Sequence, residues 1–224
     1  MRNVLMIMNA RNMAPFKECV DKLNIDKVWF KGYTEFELNI HINKFIQETD
    51  YDNYFLAPDD LLIKKHHFEL LERKLQHHDI VTGWGVWRQN YTWTTIYKQN
   101  RLYTYSQGPA LPLFKKHYNL VKTYEVDSLP DEIETAFTGW FFTGAKRQVW
   151  LEYPYQTLAV HDYQPGASTD LHWSKRILED KKYKQICIKD AKVTHISYIG
   201  KDYLDLKFDI KEIKHEQAIT KRVN

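Results

Sequence analysis

Val4-Leu5-Met6-Ile7-Met8 contains no polar residue. As a strand, such a run cannot divide its side chains between core and water. It therefore reads as a strand buried on both faces, the kind found in parallel sheets covered by helices. Short runs of the same type recur at Lys27-Val28-Trp29-Phe30, Tyr54-Phe55-Leu56-Ala57 and Asp79-Ile80-Val81-Thr82. Helical spacing separates them, over residues 15–23, 35–48 and 64–78. The middle segment is ambiguous, because Phe36, Leu38, Ile40 and Ile42 also alternate as in a strand. Thr34 followed by Glu37 makes a capping-box pattern and favours the helix. The resulting β-α-β-α-β-α-β order predicts an α/β fold around a mostly parallel sheet with right-handed crossovers.

The pattern changes after residue 84. Residues 92–97 and 102–105 read as a hairpin around Gln99-Asn100. Gly108, Pro109, Pro112 and Pro130 mark residues 107–135 as an irregular connection. A strand is expected over 137–143, a short helix over 146–153 and a further helix opening at Ser168-Thr169-Asp170. Late strands are expected over 185–188 and 192–196. In the tail from about residue 202, Leu206, Ile210 and Ile213 fall at helical spacing. That helix either packs back on the domain or makes a peripheral membrane contact. No clean linker divides the chain. The expectation is one catalytic domain over 1–200, with a nucleotide-binding half (1–106), an acceptor half (107–200) and a helical extension over 201–224.

The net charge of +3 is spread along the chain in mixed acids and bases, which gives no electrostatic case for nucleic acid as a partner. Cys19 and Cys187 form no CxxC pair. Their number and spacing argue against a zinc ribbon or a disulfide scaffold, and fit a reducing, cytoplasmic setting. No apolar run reaches the length of a transmembrane helix.

The stretch most suggestive of chemistry is Asn53-Tyr54-Phe55-Leu56-Ala57-Pro58-Asp59-Asp60. An apolar strand ends there in two adjacent carboxylates. Open α/β sheets bind ligands at the carboxyl ends of their strands, and two acids there suit a hard divalent cation. The competing reading is that Asp59 and Asp60 cap the next helix and sit in water. The paired histidines His66-His67 and His77-His78 lie on a charged helix and read as solvated rather than metal-binding.

Phe55-Leu56-Ala57-Pro58-Asp59-Asp60 resembles the DxD-type motif of glycosyltransferases with the GT-A fold, which use nucleotide-diphospho-sugar donors. Residues 140–149, Trp-Phe-Phe-Thr-Gly-Ala-Lys-Arg-Gln-Val, are similar to that family's acceptor-side strand and helix. Thr169-Asp170-Leu171, Arg176-Ile177-Leu178, Tyr183-Lys184-Gln185-Ile186 and Val193-Thr194-His195-Ile196 look like the closing pattern of the family-two enzymes. Two positions depart from the pattern. Ala57 stands where the motif commonly has its first Asp, and Thr169-Asp170 stands where an acidic pair is usual.

The resemblance implies transfer of a sugar from a nucleotide-diphospho-sugar to a hydroxyl of a glycan, protein or lipid, assisted by Mn²⁺ or Mg²⁺. Asp59, Asp60 and His195 are then the candidate metal ligands, since imidazole suits Mn²⁺ better than Mg²⁺. Asp170 is the candidate base, with His172 and Asp162 as substitutes. Asn9, Arg11 and Asn12, after the first strand, are placed for the nucleotide. Asp59 would contact the donor, and Trp140 could stack on its sugar ring. Away from the resemblance, His195 in an apolar strand reads as a core histidine and Asp170 as a helix cap.

Other classes are weaker. A sugar nucleotidyltransferase would open with a glycine-rich loop, and residues 9–12 contain no glycine. A haloacid-dehalogenase phosphatase needs an Asp after the first strand, where Met8-Asn9 stands. Pro58-Asp59 with Glu72-Arg73-Lys74 matches the letters of a PD-(D/E)xK nuclease, but the second part falls in a helical pattern. A non-catalytic sugar- or nucleotide-binding module is the remaining alternative.

Overall fold

A computed structural model describes residues 1–9, 13–31, 35–87, 90–97, 120–138, 141–156 and 169–196. The first half follows the expected alternation: β1 (Asn3–Asn9), α1 (Ala14–Asp21), β2 (Asp26–Lys31), α2 (Glu35–Glu48), β3 (Asn53–Pro58), β4 (Leu61–Leu62), α3 (Lys65–Lys74) and β5 (Ile80–Trp84). Next come β6 (Val86–Trp87), β7 (Asn90–Tyr97), β8 (Leu120–Lys122), a 3-10 helix (Thr123–Ser128) and β9 (Glu132–Glu134). The chain then forms β10 (Thr143–Lys146), α4 (Arg147–Glu152), α5 (Thr169–Asp180), β11 (Gln185–Lys192) and β12 (Thr194–His195).

One seven-stranded sheet has the order β2-β1-β3-β10-β5-β11-β9. β2, β1, β3, β5 and β11 run in one direction, whereas β10 and β9 oppose their neighbours. The sheet is thus mixed but mostly parallel, and it draws strands from both halves of the chain.

Period-two alternation sends the two sides of each strand into separate cores. Leu5, Ile7, Phe55 and Ala57 face Phe16 and Val20 of α1 and Phe68 and Leu71 of α3. Val4, Met6, Tyr54 and Leu56 face Ile42 of α2, Trp150 of α4 and Trp173 and Ile177 of α5. The apolar runs are continuous because both sides are covered.

Two expectations need correction. The strand placed over 137–143 begins only at Thr143; before it the chain bends through Phe141-Phe142. The region expected to be irregular up to residue 135 contains β8, the 3-10 helix and β9. Its strands are three residues long and are stabilised by pairing with β7 and β11, which local pattern cannot reveal. The strand expected over 92–97 is part of β7, which pairs with β6 and β8; its expected hairpin partner at 102–105 lies outside the described residues. So does the extension over 201–224. Among the described residues no helix is long and apolar enough to cross a membrane.

Candidate functional site

β3 ends beside β1, with Pro58 opposite Met8 and the Asp59 amide donating to the Met8 carbonyl at 3.1 Å. The chain turns at Asp59-Asp60 and leaves as β4. The helix-cap reading of this pair fails, because α3 starts at Lys65 with Lys64 as its N-cap. Nor is the pair solvated: Asp59 is 0% and Asp60 4% exposed. Two carboxylates withdrawn from water at a strand end need compensating positive charge or donors.

Part of that compensation comes from the far end of the chain. β12 pairs antiparallel with β4, setting His195 opposite Leu61, and the Ile196 amide donates to the Asp60 carbonyl at 2.7 Å. This register brings His195 Nε2 to 3.3 Å from Asp60 Oδ2. The His195 ring lies parallel to that of Phe141, with an interplanar angle of 4° and centroids 6.1 Å apart.

Phe141 belongs to the bend that precedes β10. The Thr82 hydroxyl lies 2.9 Å from its carbonyl, and the Thr143 hydroxyl donates to the same carbonyl at 3.1 Å. Phe142 has φ of 22°, a conformation that an aromatic residue adopts only under constraint. The Gly83 amide donates to the Phe142 carbonyl at 3.0 Å, and the Phe142 ring is fully buried against Phe55.

The same connecting segment reaches α5. The Thr138 amide donates to Ser174 Oγ at 3.2 Å. Three Cα–Cα steps separate Thr138 from Phe141, so those two backbone positions lie at most about 11 Å apart. Asp170 sits in the first turn of α5, and Asn39 Nδ2 of α2 donates to the neighbouring Thr169 Oγ1 at 3.0 Å. α5 then descends to β11, which enters the sheet parallel to β5. The first turn of α5 therefore stands on the same carboxyl edge of the sheet as Asp59 and Asp60.

Arg176 donates from Nη1 to the Pro154 carbonyl at 2.7 Å and lies over the Tyr153 ring, so it joins α5 to α4. His172 is half-buried, and burial, with Arg176 and Lys175 nearby, holds its pKa below the usual histidine value. Trp84 and Trp173 are core residues whose indole N–H groups donate to the carbonyls of Lys189 and Tyr153. Asn9 closes β1 opposite Lys31, next to the Met8–Pro58 pair and so on the same carboxyl edge as Asp59. Arg11, Asn12, Trp140 and Asp162 lie outside the described residues. Glu72 contacts Asn3, at the start of β1, so the letters that suggested a nuclease lie at opposite ends of the sheet.

The donor set of Asp59, Asp60 and His195, two carboxylates and an imidazole, is chemically suited to Mn²⁺ or Mg²⁺, which commonly take only one or two protein carboxylates. Among the described residues no three His, Cys, Asp or Glu side chains already converge as a metal cluster. Of the three expected ligands, Asp60 and His195 meet. The sequence pattern assigns no role to Phe141, which stands as one of three consecutive aromatics, Trp140-Phe141-Phe142, within the segment likened to an acceptor-side strand.

No family model and no curated protein matches the chain. Its architecture does recur among solved structures. One match is the crystal structure of A197 from STIV, with a TM-score of 0.54 and 16% identity over 84% of this chain and 82% of that one. At that identity the likeness establishes the α/β fold and carries no function with it.

Proposed function

We propose that this chain is a metal-assisted glycosyltransferase of the GT-A type, moving a sugar from a nucleotide-diphospho-sugar to an acceptor hydroxyl. The observation that carries the reading is the buried Asp59-Asp60 pair, joined by His195, at the carboxyl edge of the sheet. Asp170 at the head of α5 adds a carboxylate at the same edge. A sugar nucleotide has two chemically distinct needs there. Its diphosphate gains negative charge as the glycosidic bond breaks. Its acceptor hydroxyl must lose a proton as the new bond forms.

Asp59, Asp60 and His195 would hold Mn²⁺ or Mg²⁺, which supplies Lewis-acid stabilisation of the leaving diphosphate. The Asp170 carboxylate would take the acceptor's proton while the acceptor oxygen bonds to the anomeric carbon and the diphosphate departs. The N-terminus of α5 favours the ionised form of Asp170, the form a base requires. Asn39 and Thr169 hold α2 against that turn and fix where the carboxylate starts.

The test is thermal unfolding with Mn²⁺ and a panel of UDP- and GDP-sugars. Saturation at 100 times Kd stabilises by about 2.7 kcal/mol. For a chain of this size that raises Tm by roughly 5–10 °C. Asp59→Ala and Asp60→Ala should each abolish the metal-dependent part. Asp170→Asn should keep donor binding and lose turnover. Stabilisation indifferent to metal and to both acids would refute the site.

A further inference from the structure

We infer that Phe141 is a positioning residue for the proposed site: it fixes the plane of the His195 imidazole so that Nε2 stays directed at Asp60. The inference rests on the reading of Asp60 and His195 as functional, but its geometry stands apart from any metal. An imidazole nitrogen presents its lone pair or N–H only in the plane of the ring. Rotating the ring about its attachment bond therefore swings Nε2 away from a fixed partner. The pairing of β12 with β4 fixes the His195 backbone but leaves the ring free to turn about its attachment bond.

Phe141 constrains that turn. Its ring is parallel to the imidazole within 4°. The tip of its ring is closed by the backbone of Gly85, where an added Cβ would fall 2.5 Å from Phe141 Cζ. The Phe141 ring thus has the Gly85 backbone against its tip and the His195 ring parallel to it, with centroids 6.1 Å apart. Its carbonyl is held by Thr82 and Thr143, and the strained φ of Phe142 turns the chain immediately after it. Strain of that kind persists only where the surroundings over-determine the conformation, and it clusters at working sites. Here it aims a ring at the histidine that meets a buried acid.

Two readouts on the full chain test this, with Phe141→Leu as the perturbation. Phe68→Leu is the control, an equivalent change in the core against Phe55, away from His195. The first readout is the ¹⁵N shifts of the His195 ring in the metal-free protein, assigned among the ten histidines by their loss in His195→Gln. In wild type one tautomer should dominate. In Phe141→Leu the two nitrogens should move toward averaged values, and in Phe68→Leu they should not. The second readout is Mn²⁺ affinity by electron paramagnetic resonance, which should fall about tenfold in Phe141→Leu, the lower end for loss of a group that orients a ligand.

Ring nitrogens unchanged by Phe141→Leu, or moved equally by Phe68→Leu, would overturn the inference. Altered nitrogens with unaltered Mn²⁺ affinity would overturn its link to the cation. If wild type binds no Mn²⁺, the metal assignment falls, and the nitrogen shifts of the metal-free protein still decide whether Phe141 orients His195.

Discussion

Gly144 offers a sharp test of how β10 is seated. β10 lies antiparallel between β3 and β5, and Gly144 pairs with Phe55 on one side and Val81 on the other. Its backbone is not in the left-handed region, so the conformation suits any residue. An alanine in such a strand would ordinarily be neutral or stabilise by about 0.4–1 kcal/mol through the unfolded state. Here the added Cβ would lie 2.6 Å from Phe55 Cε1 and 2.7 Å from Cδ1. Ordinary carbon contacts lie at about 3.5–4.0 Å, so the ring must retreat by roughly 1 Å. It cannot do so freely, because Phe55 is fully buried, with Phe68 at 4.8 Å and Phe142 at 6.3 Å between centroids. Overpacking of this kind costs about 1–3 kcal/mol. We therefore expect Gly144→Ala to destabilise by about 2 kcal/mol in urea titration, lowering Tm by roughly 4–8 °C. Phe55→Leu removes the offending ring atoms, so the double variant should be more stable than the two single effects predict, by about 1 kcal/mol or more. A Gly144→Ala protein as stable as wild type, or strict additivity in the double variant, would refute the placement of β10 over Phe55.

Two further outcomes follow from other contacts. His67 is buried, and its Nδ1 accepts the Lys64 amide at 3.2 Å; burial, then His66 and Lys64, lowers its pKa from 6.5 to about 4. As pH falls, the unfolded chain takes up this proton before the folded one does. The stability it contributes is therefore intact above pH 6.5 and lost progressively down to about pH 4. The loss should be at most about 3 kcal/mol, and His67→Asn, which keeps an acceptor, should flatten that part of the pH–stability curve. Trp173 stacks on Trp150 at 4.8 Å and donates to the Tyr153 carbonyl at 2.6 Å, so Trp173→Ala should cost about 3–5 kcal/mol in urea unfolding. A cost below about 1 kcal/mol would mean that α5 is not held by this stack.

The elements most legible from the sequence are those whose pattern states their own burial. β1 and β3 read correctly because each carries apolar side chains to both cores, and α2 because Leu38, Ile42 and Ile46 return every turn to one side. What could not be read depends on partners distant in the chain. β8 and β9 are short strands that exist because β7 and β11 offer edges. Nothing within residues 120–134 marks them.

The bend at Phe141-Phe142 is the more instructive miss. Its composition, aromatic residues flanked by threonines, is that of a strand. The Thr143 hydroxyl instead donates to the Phe141 carbonyl, a local alternative to strand pairing, while the Thr138 hydroxyl meets Ser174 of α5. The sequence therefore marked the acid pair but not the element that organises its surroundings. Asp59 and Asp60 stand out as charges at the end of an apolar run. Phe141 is one aromatic among many, in a stretch whose composition favours a different backbone. Its place follows from three relations that exist only in the fold: Gly85 against the tip of its ring, His195 parallel to it, and Asp60 at 3.3 Å from the imidazole. An acid pair with no such support would be a surface feature. Asp59 and Asp60 are sealed from solvent, Asp60 meets His195, and the His195 ring runs parallel to Phe141, relations that only the folded chain brings together.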